Sequence, residues 1–120
     1  MAKDDYDYLV FKILTYLYGC FKRKISFSEE GFRGRISEDV AEETLTDTLR
    51  FMQEEGMVNG LSFVRVWGNE YVLTSDLREM SITPFGIRHL LDNDKMRTVK
   101  KMVLEGAPSA FLELVKLVMA

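Results

Sequence analysis

Cysteine and histidine occur once each in this 120-residue chain, as Cys20 and His89. A zinc site of nitrogen and sulfur ligands takes about four such side chains, so none can form within one chain. A lone thiol cannot close an internal disulfide, which leaves packing to hold the fold. No apolar run approaches the roughly 18 residues that a membrane span requires. The opening MAKDDYDYLV puts acids ahead of its apolar residues and lacks a small-residue cleavage site, so it reads as neither a signal nor a transit peptide. With a single cysteine, the expected setting is a reducing cytoplasm without membrane contact. Glycines are scattered, and Gly31, Gly34, Gly56 and Gly60 each fit a turn or a cap rather than a phosphate loop.

Catalytic sets are missing as well. Hydrolytic or redox chemistry needs a nucleophile with its base, paired carboxylates in a cleft, or a metal cluster, and none is evident. His89 beside Arg88 reads as a packing or surface residue, and Cys20 among apolar neighbours as a small buried hydrophobe. The carboxylates from Glu38 to Asp47 lack the alternating oxygen-ligand spacing of a calcium loop and read as a solvated helix face. The chain is therefore expected to be no enzyme and to hold no metal or cofactor.

What is present is an ordinary globular balance, 47% hydrophobic and 29% charged, with room for one core. Net charge is −3, unlike the basic excess of a dedicated nucleic-acid domain. Acid is concentrated centrally, where residues 26–56 carry nine acidic side chains against three basic ones. Lys95, Arg97, Lys100 and Lys101 form the densest basic cluster, of which Arg97, Lys100 and Lys101 share a helical face suited to phosphate or, more simply, to solvent.

Apolar spacing predicts a first helix from Asp4 to about Cys20 with two stripes, one of Tyr6, Leu9, Val10, Ile13, Leu14 and Leu17, the other of Tyr8, Phe11, Thr15 and Tyr18. Two stripes require two packing partners. Lys22, Arg23 and Lys24 follow as a solvated cationic end. Ser26 and Glu29 have capping-box spacing for a short helix to about Arg33. Ser37 is the next cap candidate, opening a helix from Glu38 to Glu55 that Gly56 stops, with Ala41, Leu45, Thr48, Leu49 and Met52 inward. Met57–Trp67 and Tyr71–Leu73 read as two strands joined at Gly68-Asn69, and residues 75–81 as a loop leading into a short edge strand. Thr83-Pro84 opens a helix to about Asp92 that buries Phe85, Ile87, Leu90 and Leu91. Asn93 and Asp94 cap another from Lys95 to about Glu105, and Pro108 or Ser109 starts a last, nearly all-apolar helix that should have no side in water.

Helix, glycine stop, hairpin and proline-started helix are the order of a winged helix. The expected class is α+β, mostly helical: a helix-turn-helix plus a β-hairpin wing over residues 1–92, with C-terminal helices over 93–120 packed on it or forming a dimer interface. FKILTYLY, ISEDVAEETLTDTLRFMQEEGMVNG and SDLREMSITPFGIRHLL resemble the YjcQ family, small winged-helix proteins of low-GC Gram-positive bacteria and their phages. The resemblance covers most of residues 5 to about 105. It implies a winged helix without established enzymatic activity and with a presumed link to DNA, and it offers no catalytic or binding motif to carry over.

Two functions compete. The favoured expectation is a DNA-associated transcriptional regulator, with Arg50 and Gln53 reading base edges, Thr46 touching a thymine methyl, and Arg33, Arg35 and Arg65 near the phosphates of duplex DNA. Against it stand seven acids between Glu38 and Glu55, opposed by one arginine. The competing reading is a protein-interaction module whose acidic helix docks a basic partner. Either way a homodimer is favoured, joined through Tyr8, Phe11 and Tyr18 of the first helix and Phe111, Leu114, Val115 and Val118 of the last. The alternative is that the last helix folds back onto the first within a monomer.

Overall fold

The computed structural model of the chain describes residues 5–106 and 110–119. Asp4 and the expected helix start at Pro108 or Ser109 lie outside the described residues. The fold is mostly helical α+β, with α1 (Asp5–Phe21), α2 (Glu29–Ile36) and α3 (Glu42–Glu54) preceding four short strands. These are β1 (Val58–Asn59), β2 (Phe63–Arg65), β3 (Tyr71–Leu73) and β4 (Ser81–Ile82), and α4 (Pro84–Asp92), α5 (Asp94–Glu105) and α6 (Ala110–Met119) follow.

Helix α1 is the axis of the core. Phe11, Ile13 and Leu14 have no solvent exposure, and both apolar stripes are largely covered. One side meets α4 and α5, while the other takes α6. Phe11 and Tyr8 touch Phe111 edge to face at centroid distances of 6.0 and 6.4 Å. At the far end Lys22 donates to the Val118 carbonyl at 2.7 Å and lies over the Tyr18 ring, so this lysine caps α6. Leu114, Val115 and Val118 are buried in the same seam, whereas Glu113, Lys116 and Leu117 face water. The last helix thus does have a solvent side, contrary to the expectation from its composition.

The two middle helices start later than the sequence spacing predicts. Tyr16 is buried, and its hydroxyl donates to the Ser28 carbonyl while accepting from the Ser28 N–H. That anchor makes Ser28, not Ser26, the cap of α2, its Oγ accepting from the Gly31 N–H. Phe32 and Ile36, four apart, form the buried line of α2, so the helix continues past Arg33. Ser37 consequently closes α2, its N–H on the Arg33 carbonyl, instead of opening α3. Glu38 and Asp39 sit in the turn, and α3 begins at Glu42 with Ala41 as a cap that makes no side-chain bond. Ala41 is exposed, and Thr46 joins Leu45, Thr48, Leu49 and Met52 on the packed side.

The expected long first strand is broken in two. β1 pairs antiparallel with β4, Val58 opposite Ile82, and β2 pairs with β3, Val64 opposite Val72. Gly60 makes the break: its φ is +97°, and a β-carbon there would run into the Glu79 carbonyl. The Gln53 side chain then accepts from the Leu61 N–H and donates to its carbonyl, at 2.9 and 2.8 Å, supplying what a strand neighbour would. The β2–β3 turn runs through Val66–Glu70, with Gly68 at φ +64°.

Thr83 caps α4 with Pro84 in the first turn, and Asn93 caps α5, as their spacing predicts. The buried line of α4 is Gly86 and Leu90, however. Phe85 and Leu91 are exposed, because α4 approaches the Met57 carbonyl so closely that only a residue without a β-carbon fits at the contact.

Candidate functional site

Helix α3 and the hairpin after it are the surface on which the DNA expectation rests. Its residues have other occupations. Thr46 is 7% exposed and lies in the core, out of reach of a base. Gln53 has both ends of its amide on Leu61. The Arg50 guanidinium lies over the Tyr71 ring of β3 at 4.0 Å and over Phe51 at 4.8 Å, and pairs with Glu54 at 3.0 Å. It fastens the hairpin to the helix rather than projecting from it.

Arg33 reaches across the turn to Glu42 at 2.9 Å and back to Glu29 at 3.0 Å, and these two carboxylates hold its guanidinium more firmly protonated than usual. Exposed ion pairs of this kind contribute only about 0.5 kcal/mol, but they occupy the group. Arg65 bonds Asn69 within the hairpin turn. Arg35 is exposed and has no partner among the described residues. The structure therefore does not gather the six candidate DNA contacts into one free surface.

Exposed α3 is acidic: Glu42, Glu43, Asp47 and Glu54 face solvent, with Glu38 and Asp39 in the preceding turn. Phe51, 41% exposed, stands among them beside Tyr6 of α1, rings edge to face at 6.5 Å. The hairpin adds an apolar face that sequence reading assigned only to strands. Val64 and Val72 are cross-strand partners, both about half exposed, and Val66 lies on the same side two residues from Val64. Trp67 at the tip is 91% exposed. The signal available in the sequence was a tryptophan directly before the Gly68-Asn69 turn, a position no core can reach.

The proposed dimer seam is mostly interior. Phe11, Phe111, Leu114, Val115 and Val118 are each no more than 5% exposed within a single chain, because α6 lies against α1. Only Tyr8 and Tyr18 keep appreciable surface, each with a lysine ammonium over its ring. Within the single chain those five residues are core rather than exposed surface. Burial also pushes the Cys20 thiol up to about 11, which makes it a poor nucleophile near neutral pH. His89 is half-buried against Phe85.

Among the described residues, no three His, Cys, Asp or Glu side chains are grouped to hold a metal ion, and no helix is long and apolar enough to cross a membrane. The profile of a family described as YjcQ protein matches residues 11–105, from the middle of α1 to the end of α5. The chain belongs to the YjcQ family. No curated protein and no solved structure matches it. Within this YjcQ protein the match covers α3, the hairpin and the basic helix α5, and leaves out α6.

Proposed function

We propose that this YjcQ protein is a non-enzymatic winged-helix module that docks a basic, partly apolar protein partner on α3 and the adjoining hairpin. One observation carries the reading. The residues of α3 equipped to read bases, Thr46, Arg50 and Gln53, are engaged in holding the fold, and the side chains left facing solvent are mainly carboxylates. Phosphate neutralisation provides much of the affinity of any duplex complex, so an acidic helix is repelled by the surface it would have to approach. The same carboxylates attract lysine and arginine, and the exposed Phe51 and the Val64, Val66, Trp67 and Val72 face supply apolar area beside them.

The second reading is a DNA-associated regulator. Its support is the element order, three helices followed by a hairpin, together with the exposed Arg35, Arg65, Lys95, Arg97 and Lys101. In that case contact would come from the hairpin and flanking arginines rather than from base reading by α3.

Fluorescence anisotropy with labelled decalysine tests the docking face. Saturable binding at low salt, weakened several-fold by Glu43→Gln/Asp47→Asn, is expected. No binding, or binding indifferent to those two substitutions, would remove the acidic face of α3 from consideration.

A further inference from the structure

Next to this face, an open cleft of about 350 Å³ separates the start of α1 from the end of α3 and the α4–α5 junction. Its floor is apolar, formed by Val10 and Met57, both almost wholly buried. One wall is the Tyr6 ring, continued onto α3 by Phe51. Carboxylates from three separate elements stand around it: Asp7 of α1, Glu55 capping α3, and Asp94 opening α5.

These carboxylates are unequal. Asp94 shares Arg97 at 3.2 Å, whereas Asp7 and Glu55 have no ion-pair partner among the described residues. Their field is felt at Tyr6, whose phenol is pushed above its ordinary range by burial first and then by Glu55 and Asp7. Glu55 also stands at the C-terminal end of α3, where the helix dipole adds negative potential. Lys95, exposed, and the half-buried His89 also line the cleft, and with Asp94 already sharing Arg97, Asp7 and Glu55 are the carboxylates that outweigh Lys95.

An apolar floor, an aromatic wall and an acidic mouth suit a group with an aliphatic stem and a cationic head. We infer that this cleft receives one lysine or arginine side chain of the docking partner, its stem along Val10 and Met57 and its head between Asp7 and Glu55. The volume falls at the small end of ligand sites, enough for one long side chain with some of its hydration water. The inference rests on the docking reading and extends it, since it names an anchor at the C-terminal end of α3, beside the acidic face, that the same partner reaches.

The test uses the whole chain, isotope-labelled, titrated at low salt with n-butylguanidinium and with its neutral isostere n-butylurea, alongside the decalysine titration. The expected result is that the guanidinium, but not the urea, moves the amide resonances of Tyr6, Glu55 and Met57. Asp7→Asn/Glu55→Gln should abolish those shifts and weaken decalysine about fivefold, the scale of losing two exposed charge contacts. Equal shifts from the urea, or no shifts from either compound, would overturn the inference. Should decalysine still respond to Glu43→Gln/Asp47→Asn in that event, the docking face survives and the cleft alone is rejected. Guanidinium binding at the cleft without any decalysine binding would leave the cleft as a cation site and reject the docking face.

Discussion

Gln53 shows how a residue suited to base recognition becomes part of the scaffold. The Leu61 side chain is buried, and the backbone around it has left one strand pair without yet entering the next. Its N–H and carbonyl would lack partners without the Gln53 amide. Truncation by Gln53→Ala should therefore destabilise the fold by about 2 kcal/mol, the usual cost of stranding such groups, in urea denaturation. A freely projecting Gln53 would give a change near zero. Arg23 offers a second test. Gly56 at φ +85° and Arg23 at φ 60° follow the ends of α3 and α1 in the same kind of cap, in which the next residue's N–H returns to a carbonyl five positions back, Met57 to Met52 and Lys24 to Gly19. Glycine holds that position without strain; arginine does not. Arg23→Gly should raise stability by about 0.5–1 kcal/mol once the greater freedom of the unfolded chain is discounted, visible as a higher thermal midpoint. Gly56 was legible in the sequence because glycine before a strand is a stop signal. Arg23 was not, since nothing in KRK marks a left-handed residue.

At the scale of elements, the seam between α1 and α6 determines whether the terminal helix belongs to the monomer. Phe111 is 5% exposed and makes edge contacts with Phe11 and Tyr8. Phe111→Ala should cost about 3 kcal/mol of unfolding free energy and leave the sedimentation behaviour unchanged. If that seam joined two chains instead, the same substitution would dissociate a dimer, and the unfolding midpoint would depend on protein concentration. Periodicity revealed the two stripes of α1 and the apolar richness of α6, but it cannot say whether the complementary stripe lies on the same chain. The caps of α4 and α5 were readable because Thr83-Pro84 and Asn93 act through local bonds. The starts of α2 and α3 were not, because Tyr16, twelve residues away, fixes Ser28, and burial of Ile36 extends α2 into the stretch that Ser37 seemed to open. The hairpin was legible as a turn, but its division into two strand pairs depends on Gly60 meeting the Glu79 carbonyl, a contact invisible in local sequence.

For the whole molecule, charge is the deciding quantity. The chain is acidic overall, and the acid is displayed on α3 and its preceding turn, whereas the cations of α5 stand on a helix packed against α1 and α4. Composition made that central acidity legible; the internal engagement of Arg50, the one cation opposing it on α3, required the fold. Duplex titration across salt concentration bears on this most directly, because any phosphate-driven complex strengthens steeply as salt falls. The predicted result is no saturable binding of duplex DNA even at low ionic strength. Saturable binding that strengthens as salt is lowered, and that Arg35→Ala/Arg65→Ala removes, would contradict it.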